Sequence, residues 1–258
     1  MSDAVIVSVA RSPIGRAVKG SLKSIRPDDL AAQMVRAALD KVPALDPHDV
    51  VDLMMGCGSP CGESGFNIGR TVAVTLGYDF MPGTTVHRYC SSSLQTSRMA
   101  FHAIKAGEGD VFISAGVETV SRYFKGSADA SPDTENPSYA EAVDRTAKTA
   151  ESGASQWHDP RADGLMPDVY IAMGQTAENL HDRFPALTRE RCDAYAVASQ
   201  GKLEKAYADG KIQPDLVTVA TRHAELGYGL ATVDEPPRPG STIESLAGLK
   251  TPFRAHGK

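Results

Sequence analysis

Residues 86–95, Val86-His87-Arg88-Tyr89-Cys90-Ser91-Ser92-Ser93-Leu94-Gln95, join two stretches of different hydrophobic period. The preceding Gly83-Thr84-Thr85-Val86 is β-rich, whereas the apolar residues that follow recur at helical spacing up to Gly107. Cys90 is therefore predicted at a strand-to-helix turn. The unpaired N–H groups at a helix N-terminus favour a thiolate, and the serines after Cys90 are small enough to admit a substrate carbonyl. This context favours a nucleophile over the buried structural thiol that a free cysteine more often is.

Strands and helices alternate on both sides of this turn. Residues 5–9, which are β-branched except for Ser8, are predicted as a buried strand, and residues 50–55 and 111–115 as further strands. Helical periodicity follows Asp28 and Asn67, whose side chains are predicted to cap the first two helices. The alternation predicts an α/β fold with a mostly parallel sheet and helices on its faces. In such sheets the chemistry collects at the carboxyl ends of strands, where this turn lies.

Composition restricts the class of protein. The 258 residues include 27 Lys and Arg against 32 Asp and Glu, for a formal charge of −5, and 41% are hydrophobic, as in an ordinary soluble globular protein. The sequence has no basic run interleaved with aromatic residues, which argues against nucleic acid as a partner. No apolar stretch approaches the ~20 residues of a membrane span, and the first residues lack the basic region of a secretory signal.

The four cysteines are Cys57, Cys61, Cys90 and Cys192. Cys57 and Cys61 form a C-x-x-x-C pair, but a zinc site needs about four ligands and the sequence holds no second cluster. No metal is predicted, and reduced thiols of a cytoplasmic protein are the better account. Cys192 recurs at helical spacing in a helix that Thr188 is predicted to cap, so it is predicted to be a core residue.

Three motifs lie in and after the turn. They are Tyr89-Cys-Ser-Ser-Ser-Leu-Gln95, Gly107-Glu-Gly-Asp110 and Ser114-Ala-Gly-Val-Glu118-Thr-Val-Ser121. Together they resemble the acyl-enzyme region of the thiolase family, in which the matching cysteine is acylated by a 3-ketoacyl-CoA. Two positions depart from the family pattern, because Ser93 stands where many members carry glycine and His87 replaces a frequent asparagine. The resemblance implies one half of the duplicated α/β core that thiolases share with ketoacyl synthases.

Segments of the second half follow the family's order as well. They are Asp163-Gly-Leu165, Met173-Gly-Gln-Thr-Ala-Glu-Asn179, Asp193-Ala-Tyr-Ala-Val-Ala-Ser-Gln200, Asp234-Glu-Pro-Pro-Arg238, Ser245-Leu246 and Leu249-Lys-Thr-Pro-Phe253. They resemble the thiolase loop domain, a largely helical lobe that is inserted into the core and covers CoA. The resemblance implies an N-terminal core over residues 1–121, the loop domain over 122–247, and the start of a strand returning to the core over 248–258.

Positional matching to the family assigns further site residues. It places Leu165 and Met173 against the pantetheine or acyl part of the ligand, and Arg238 and Ser245 near the nucleotide end of CoA, where forked arginine donors suit phosphate. Met173 could equally be a core residue, because it lies on an apolar helix face, and Arg238 could be a solvated charge. Ala172 stands where short-chain acetoacetyl-CoA thiolases usually carry histidine, which favours a degradative 3-ketoacyl-CoA thiolase.

The other catalytic groups of the family have no match in the sequence. Thiolases activate the nucleophile with the histidine of a Gly-His-Pro motif and use a second cysteine, in a Cys-x-Gly motif, as acid and base. Neither motif follows the loop-domain segments, so the C-terminal domain is expected to be absent. A covalent catalyst needs nucleophile, base and oxyanion donors within hydrogen-bond reach. We therefore expect negligible turnover from these 258 residues alone.

The leading hypothesis is acyl transfer from a 3-ketoacyl-CoA through an acyl-Cys90 intermediate, or the reverse Claisen condensation of acetyl-CoA. CoA is then a substrate, and no cofactor is required. One alternative is a ketoacyl-synthase-like condensing enzyme, against which the loop-domain segments argue. Another is a non-catalytic CoA-binding fragment. The resemblance also implies a homodimer or homotetramer formed through the N-terminal core.

Overall fold

The computed structural model describes residues 3–123, 131–151, 157–223, 227–254 and 257–258. Contacts divide the chain into two compact units, residues 1–130 with 210–236 and residues 131–209 with 237–258. These units differ from the sequence-based segments, because 210–236 joins the N-terminal core and 248–258 joins the second unit. The assignment of residues 122–247 as a CoA-covering domain stays a prediction.

A parallel sheet forms the centre of the first unit. Strand β1 (Val50–Gly56) lies between β2 (Gly83–Val86) and β3 (Val111–Gly116) and pairs in parallel with both. The α/β class and the parallel strands are thus confirmed. Because parallel strands end at the same edge of a sheet, the residues that follow β2, with Cys90 among them, lie at the carboxyl edge.

Helices cover both faces of this sheet. Helices α1 (Pro27–Asp40) and α2 (Ile68–Thr75) share one hydrophobic core with the β1 side chains of Leu53 and Met55. Alternation along a strand turns Met54, which lies between these two, and Gly56 to the opposite face. That face carries helix α3 (Ser92–Ala106), which ends before Gly107, as predicted. Gly107 itself adopts the left-handed conformation.

Helix α3 approaches the strand ends very closely. A Cβ at Gly56, the last residue of β1, would lie 2.5 Å from the backbone nitrogen of Ser93, and a Cβ at Gly116, the last residue of β3, would overlap the Ser93 hydroxyl. One turn further on, the Thr96 hydroxyl lies 2.9 Å from the Ser114 hydroxyl. Two glycines therefore let the first turn of α3 rest directly on the sheet.

The prediction of a strand over residues 5–9 is wrong, because these residues form no strand in the described part of the chain. The segment is anchored by its backbone, with Lys41 Nζ donating to the carbonyl of Val9 at 2.7 Å. Residues 5–7 are 73–84% exposed. Their β-branched composition suits a pleated, half-buried surface, but a strand also needs a neighbouring strand to pair with its backbone groups.

Two predicted caps use their side chains differently. Helix α1 begins one residue before Asp28, at Pro27, which suits the first helical position, and the Asp28 carboxylate instead accepts from Arg26 at 3.0 Å. Asn67 does occupy the N-cap of α2, at φ +49°, but its amide donates to the carbonyl of Gly83 at 2.8 Å. The side chain thus ties α2 to β2 instead of capping the helix.

An antiparallel hairpin completes the first unit. It consists of β4 (Val219–His223) and β5 (Gly227–Ala231), and the segment after it is held by a forked ion pair. The two terminal nitrogens of Arg11 each lie 2.8 Å from one carboxylate oxygen of Asp234. This bidentate geometry fixes the loop at residues 11–14 to the chain that leaves the hairpin.

The second unit is largely helical, as predicted. Its helices are α4 (Ala140–Glu151), α5 (Met173–Arg183), α6 (Arg189–Ala208) and α7 (Ile243–Ala247). Thr188 caps α6 by accepting from the Arg191 N–H, as predicted. No helix of the described ranges has both the length and the apolar character needed to cross a membrane.

The described part of residues 248–258 packs against α5 and forms no strand. Phe253 lies against Gly174, where a Cβ would overlap its ring. Arg254 is 5% exposed and donates to Gln175 at 3.0 Å and to Asp182 at 2.8 Å. A buried arginine with several acceptors holds this segment on the helix.

The contact between Gly116 and Ser93 predicts a rescue by double substitution. Gly116→Ala should lower the free energy of unfolding by about 1–3 kcal/mol, because the added methyl group overlaps the Ser93 hydroxyl. In a Ser93→Gly background the same change should cost much less. Urea unfolding of the four proteins in the cycle measures the coupling, and equal costs in both backgrounds would contradict this account.

Candidate active site

The turn that carries Cys90 is strained. Tyr89 adopts φ +44°, a left-handed conformation that is rare for a bulky residue. Such a conformation costs on the order of 1–3 kcal/mol and persists when the surroundings enforce it, often at functional sites. The next residue, Cys90, is exposed, and Ser91 follows as the N-cap of α3. The predicted position of Cys90 between a strand and a helix N-terminus is therefore what the structure has.

One buried hydroxyl holds this strained turn. Ser92 is 2% exposed, and its Oγ accepts from the backbone N–H of Arg88 at 2.8 Å and donates to the carbonyl of Tyr89 at 2.6 Å. The backbone N–H of Ser92 also donates to the carbonyl of Tyr89, at 3.1 Å. Ser92 thus closes the loop around Tyr89 from the first position of the helix.

A carboxylate braces the turn from the sheet side. Glu118 accepts from the backbone N–H of Gly58 at 2.7 Å and from the Tyr123 hydroxyl at 2.6 Å. A Cβ at Gly58 would lie 3.2 Å from the carbonyl of Tyr89, so this loop lies directly against the turn. Burial, together with the hydrogen bond to Glu118, raises the pKa of Tyr123, so its hydroxyl stays protonated and keeps donating.

Cys57 and Cys61 are less suited than Cys90 to be the nucleophile. Cys57 is 1% exposed, and burial raises the pKa of its thiol, which lies 3.7 Å from Glu118. Cys61 is exposed but precedes a single short turn of 3-10 helix. Within the described ranges, no three or more His, Cys, Asp or Glu side chains group together as metal ligands.

His87 contacts the backbone of Cys57 and the ring of Tyr89. Its Nδ1 lies 3.4 Å from the carbonyl of Cys57, and its ring packs edge-on against the ring of Tyr89, with centroids 4.6 Å apart. These contacts make His87 a support of the turn.

The four residues assigned to CoA all belong to the second unit. Met173, the first residue of α5, is 77% exposed and so is not packed in a core of the described residues, and Leu165 is 43% exposed. They belong to an apolar exposed stretch that also includes Met166, Val169 and Tyr170. The structure therefore leaves apolar surface free where the resemblance places pantetheine.

Arg238 and Ser245 lie on segments that pack against α6. The backbone N–H of Arg238 donates to Gln200 of α6 at 3.0 Å, and the Arg238 side chain is exposed. Ser245 has a structural duty, because its hydroxyl accepts from the Thr242 N–H at 3.1 Å in the capping box of α7. Arg189 of α6 donates to the carbonyl of Leu246 and holds α7 in place.

Comparison with known proteins identifies relatives over the whole chain. Residues 4–258 match the family described as "Thiolase, N-terminal domain". The chain is 32% identical over 266 aligned residues to a 3-ketoacyl-CoA thiolase of Bacillus subtilis (strain 168). It is 35% identical over 262 aligned residues to the 3-oxoadipyl-CoA/3-oxo-5,6-dehydrosuberyl-CoA thiolase of Escherichia coli (strain K12). Both alignments cover 100% of the chain, which spans 61% of the length of either relative.

A solved structure agrees with this relationship. The crystal structure of the Bacillus anthracis acetyl-CoA acetyltransferase superposes with a TM-score of 0.75 at 29% sequence identity. The superposition covers 98% of this chain and 59% of that chain.

The geometry of the turn predicts unequal roles for neighbouring serines. Ser92→Ala should lower the free energy of unfolding by about 1–3 kcal/mol, because the Arg88 N–H and the Tyr89 carbonyl lose a buried partner. It should also slow alkylation of Cys90 by iodoacetamide, because a loosened turn no longer holds the thiol at the helix N-terminus, where the N–H groups favour the reactive thiolate. The matched control is Ser91→Ala, which alters an exposed hydroxyl. Equal effects of the two substitutions on stability would show that Ser92 does not hold the turn.

Proposed function

The chain belongs to the thiolase family, and we propose that it supplies the acylated cysteine of an acetyl-CoA C-acyltransferase. The observation that carries this proposal is the exposed Cys90 thiol on a strained turn at the N-terminus of α3. First-turn N–H groups of a helix lack intrahelical partners and favour negative charge nearby. They would favour both a thiolate at Cys90 and the oxyanion that forms when it attacks a carbonyl.

The proposed reaction is thiolytic cleavage of a 3-ketoacyl-CoA. The Cys90 thiolate forms a C–S bond to the keto carbon, and the adjacent C–C bond breaks. Its electron pair goes to the departing acetyl-CoA carbon, which takes up a proton. The thiolate of free CoA then attacks the acyl-cysteine, forms the shortened acyl-CoA and restores the thiolate. Run in reverse, the same steps condense two acetyl-CoA molecules.

The proposal assigns CoA recognition to the second unit. The exposed side chains of Leu165 and Met173 would lie along the pantetheine arm, because that arm is narrow and of mixed polarity. The exposed guanidinium of Arg238 would contact phosphate, for which its forked donors are suited. Ser245 would lie near the nucleotide end of CoA. Its hydroxyl belongs to the capping box of α7, so its role there would be to fix the start of that helix.

The acyl substrate is proposed from one departure and two relatives. Ala172 precedes α5 where short-chain members usually have histidine, which supports a degradative enzyme with a broader acyl range. The similar proteins of B. subtilis and E. coli are named for 3-ketoacyl-CoA and 3-oxoadipyl-CoA substrates. A homodimer or homotetramer through the N-terminal core and a cytoplasmic location remain predictions from the resemblance and the reduced thiols.

Two other functions make different predictions at Cys90. A ketoacyl-synthase-like enzyme would accept its acyl group from acyl carrier protein, whereas a non-catalytic module would bind CoA without forming a thioester. The match of residues 4–258 to the thiolase N-terminal domain favours acyl-CoA as the donor. The strained turn favours chemistry over simple binding, because binding alone gives no reason to store strain beside an exposed thiol.

Acylation should single out one of the two exposed cysteines. Incubation of the 258-residue chain with a 3-ketoacyl-CoA should add one acyl group at Cys90, located by peptide mass mapping. Cys90→Ser should abolish the adduct, and Cys61→Ser should leave it unchanged. Repeated turnover should be negligible, because these residues contain no Gly-His-Pro histidine to act as base. Equal labelling of Cys61 and Cys90 would contradict the nucleophile assignment, and turnover at an ordinary enzymatic rate would contradict the role given to the base.

Binding of CoA should depend on Arg238. Arg238→Ala should weaken binding about tenfold, because a guanidinium bound to phosphate contributes a charge-assisted hydrogen bond. The matched control is Arg161→Ala, which removes another exposed arginine of the same unit. Isothermal titration with CoA measures both variants. Similar losses for the two would assign the effect to overall charge.

A further inference from the structure

Three titratable side chains of the second unit, Glu178, His181 and Cys192, form a row on α5 and α6. None of them has a role in the proposed acyl transfer. Cys192 Sγ lies 3.6 Å from His181 Nε2, and His181 Nδ1 lies 3.4 Å from a carboxylate oxygen of Glu178. Glu178 and His181 are one helical turn apart on α5, and Cys192 faces them from α6. The imidazole therefore bridges a thiol and a carboxylate.

The carboxylate end of this row is fixed and shielded from solvent. The side chains of Glu178 and His181 are 6% and 14% exposed. Both carboxylate oxygens of Glu178 also accept from the backbone N–H of Lys258 at 3.2 Å. Because Glu178 is held on two sides, it can fix the orientation of the His181 ring. Cys192, at the other end of the row, is only partly buried.

This order of groups is that of an activated nucleophile. The Nε2 atom of His181 can accept the thiol proton while the Nδ1–H donates to Glu178. The carboxylate then stabilises the resulting imidazolium, and the imidazolium stabilises the thiolate. Nucleophile, base and orienting group thus stand in sequence. A core cysteine of helix α6, which the sequence predicts, would instead face apolar neighbours.

We propose that Cys192 is a second reactive thiol, a modification site for small uncharged hydroperoxides, with His181 as its base and Glu178 as the orienting group. The thiolate attacks one peroxide oxygen, an S–O bond forms and the O–O bond breaks. Sulfur loses two electrons to the peroxide, and the departing hydroxide or alkoxide takes the proton held by His181. The products are a sulfenic acid and water or an alcohol.

The surroundings of Cys192 favour a small oxidant and a reversible product. A partly buried cysteine beside a shielded histidine favours a small, uncharged oxidant such as a hydroperoxide over a bulky one. The sequence of the second unit holds no other cysteine that could form a disulfide within it. A low-molecular-weight thiol would therefore resolve the sulfenic acid, forming a mixed disulfide and releasing water.

The test compares reaction rates at individual cysteines of the full 258-residue chain. The protein is treated with hydrogen peroxide near neutral pH, sulfenic acid is trapped with dimedone, and each cysteine is quantified by peptide mass mapping. Cys61, an exposed thiol, is the internal standard, and iodoacetamide alkylation provides a second measure of nucleophilicity. Cys192 should react about tenfold faster than Cys61 in both assays, as expected for a thiol paired with a histidine.

Substitutions separate the row of three groups from simple exposure. His181→Gln should bring Cys192 to within about twofold of Cys61, and Glu178→Gln should slow it by an intermediate factor. The matched control is His158→Gln, which removes a histidine of the same unit that lies 3.1 Å from Asp163. Circular dichroism checks that each variant is folded. The comparison of Cys192 with Cys61 is made in the unsubstituted protein, so it does not depend on the folding of any variant.

Each result decides the proposal. Cys192 reacting no faster than Cys61 overturns it, as does a fast Cys192 that keeps its rate in a folded His181→Gln protein. A fast Cys192 that slows with His181→Gln but not with His158→Gln supports it. Because Cys90 is mapped separately, failure at Cys192 leaves the proposed acyl transfer untouched.

Discussion

The fit of the first turn of α3 against the carboxyl ends of β1 and β3 is the contact on which the candidate site depends. Gly56 and Gly116 have no side chains, so Ser93 can lie where a Cβ would otherwise be. This close approach sets the position of the helix N-terminus, and hence of Cys90, relative to the sheet edge. With Ser93 in place, a side chain at either glycine would clash with the first turn of α3, and any shift of the helix that relieved the clash would move the thiol with it.

The alternation of strands and helices could be predicted because each element has a clear period and a breaker at its end. β1, β3 and α3 follow their predicted spans, and Gly107 ends α3 as expected. Residues 5–9 could not be predicted in this way, since local composition does not report whether a partner strand is present. The side-chain duty of Asn67 was equally hidden, because an amide can serve a neighbouring strand as well as its own helix.

The site was predictable at its centre and less so around it. A cysteine between a strand and a helix is a local pattern, so the place of Cys90 follows from the sequence. The left-handed Tyr89 and the clamp by Ser92 depend on how the turn packs against the sheet. The row of Glu178, His181 and Cys192 depends on two helices meeting, which no spacing within either helix reveals.

The backbone conformation at Tyr89 also limits how this position can vary. Glycine, asparagine or aspartate would adopt the same conformation at less cost. Each would nevertheless lose the aromatic ring that packs against His87. Each substitution would therefore lower the conformational cost of the backbone at position 89 and remove the packing of the ring against His87. Tyrosine at this position keeps the side-chain support of the turn beside the thiol and accepts the strain of a left-handed backbone conformation.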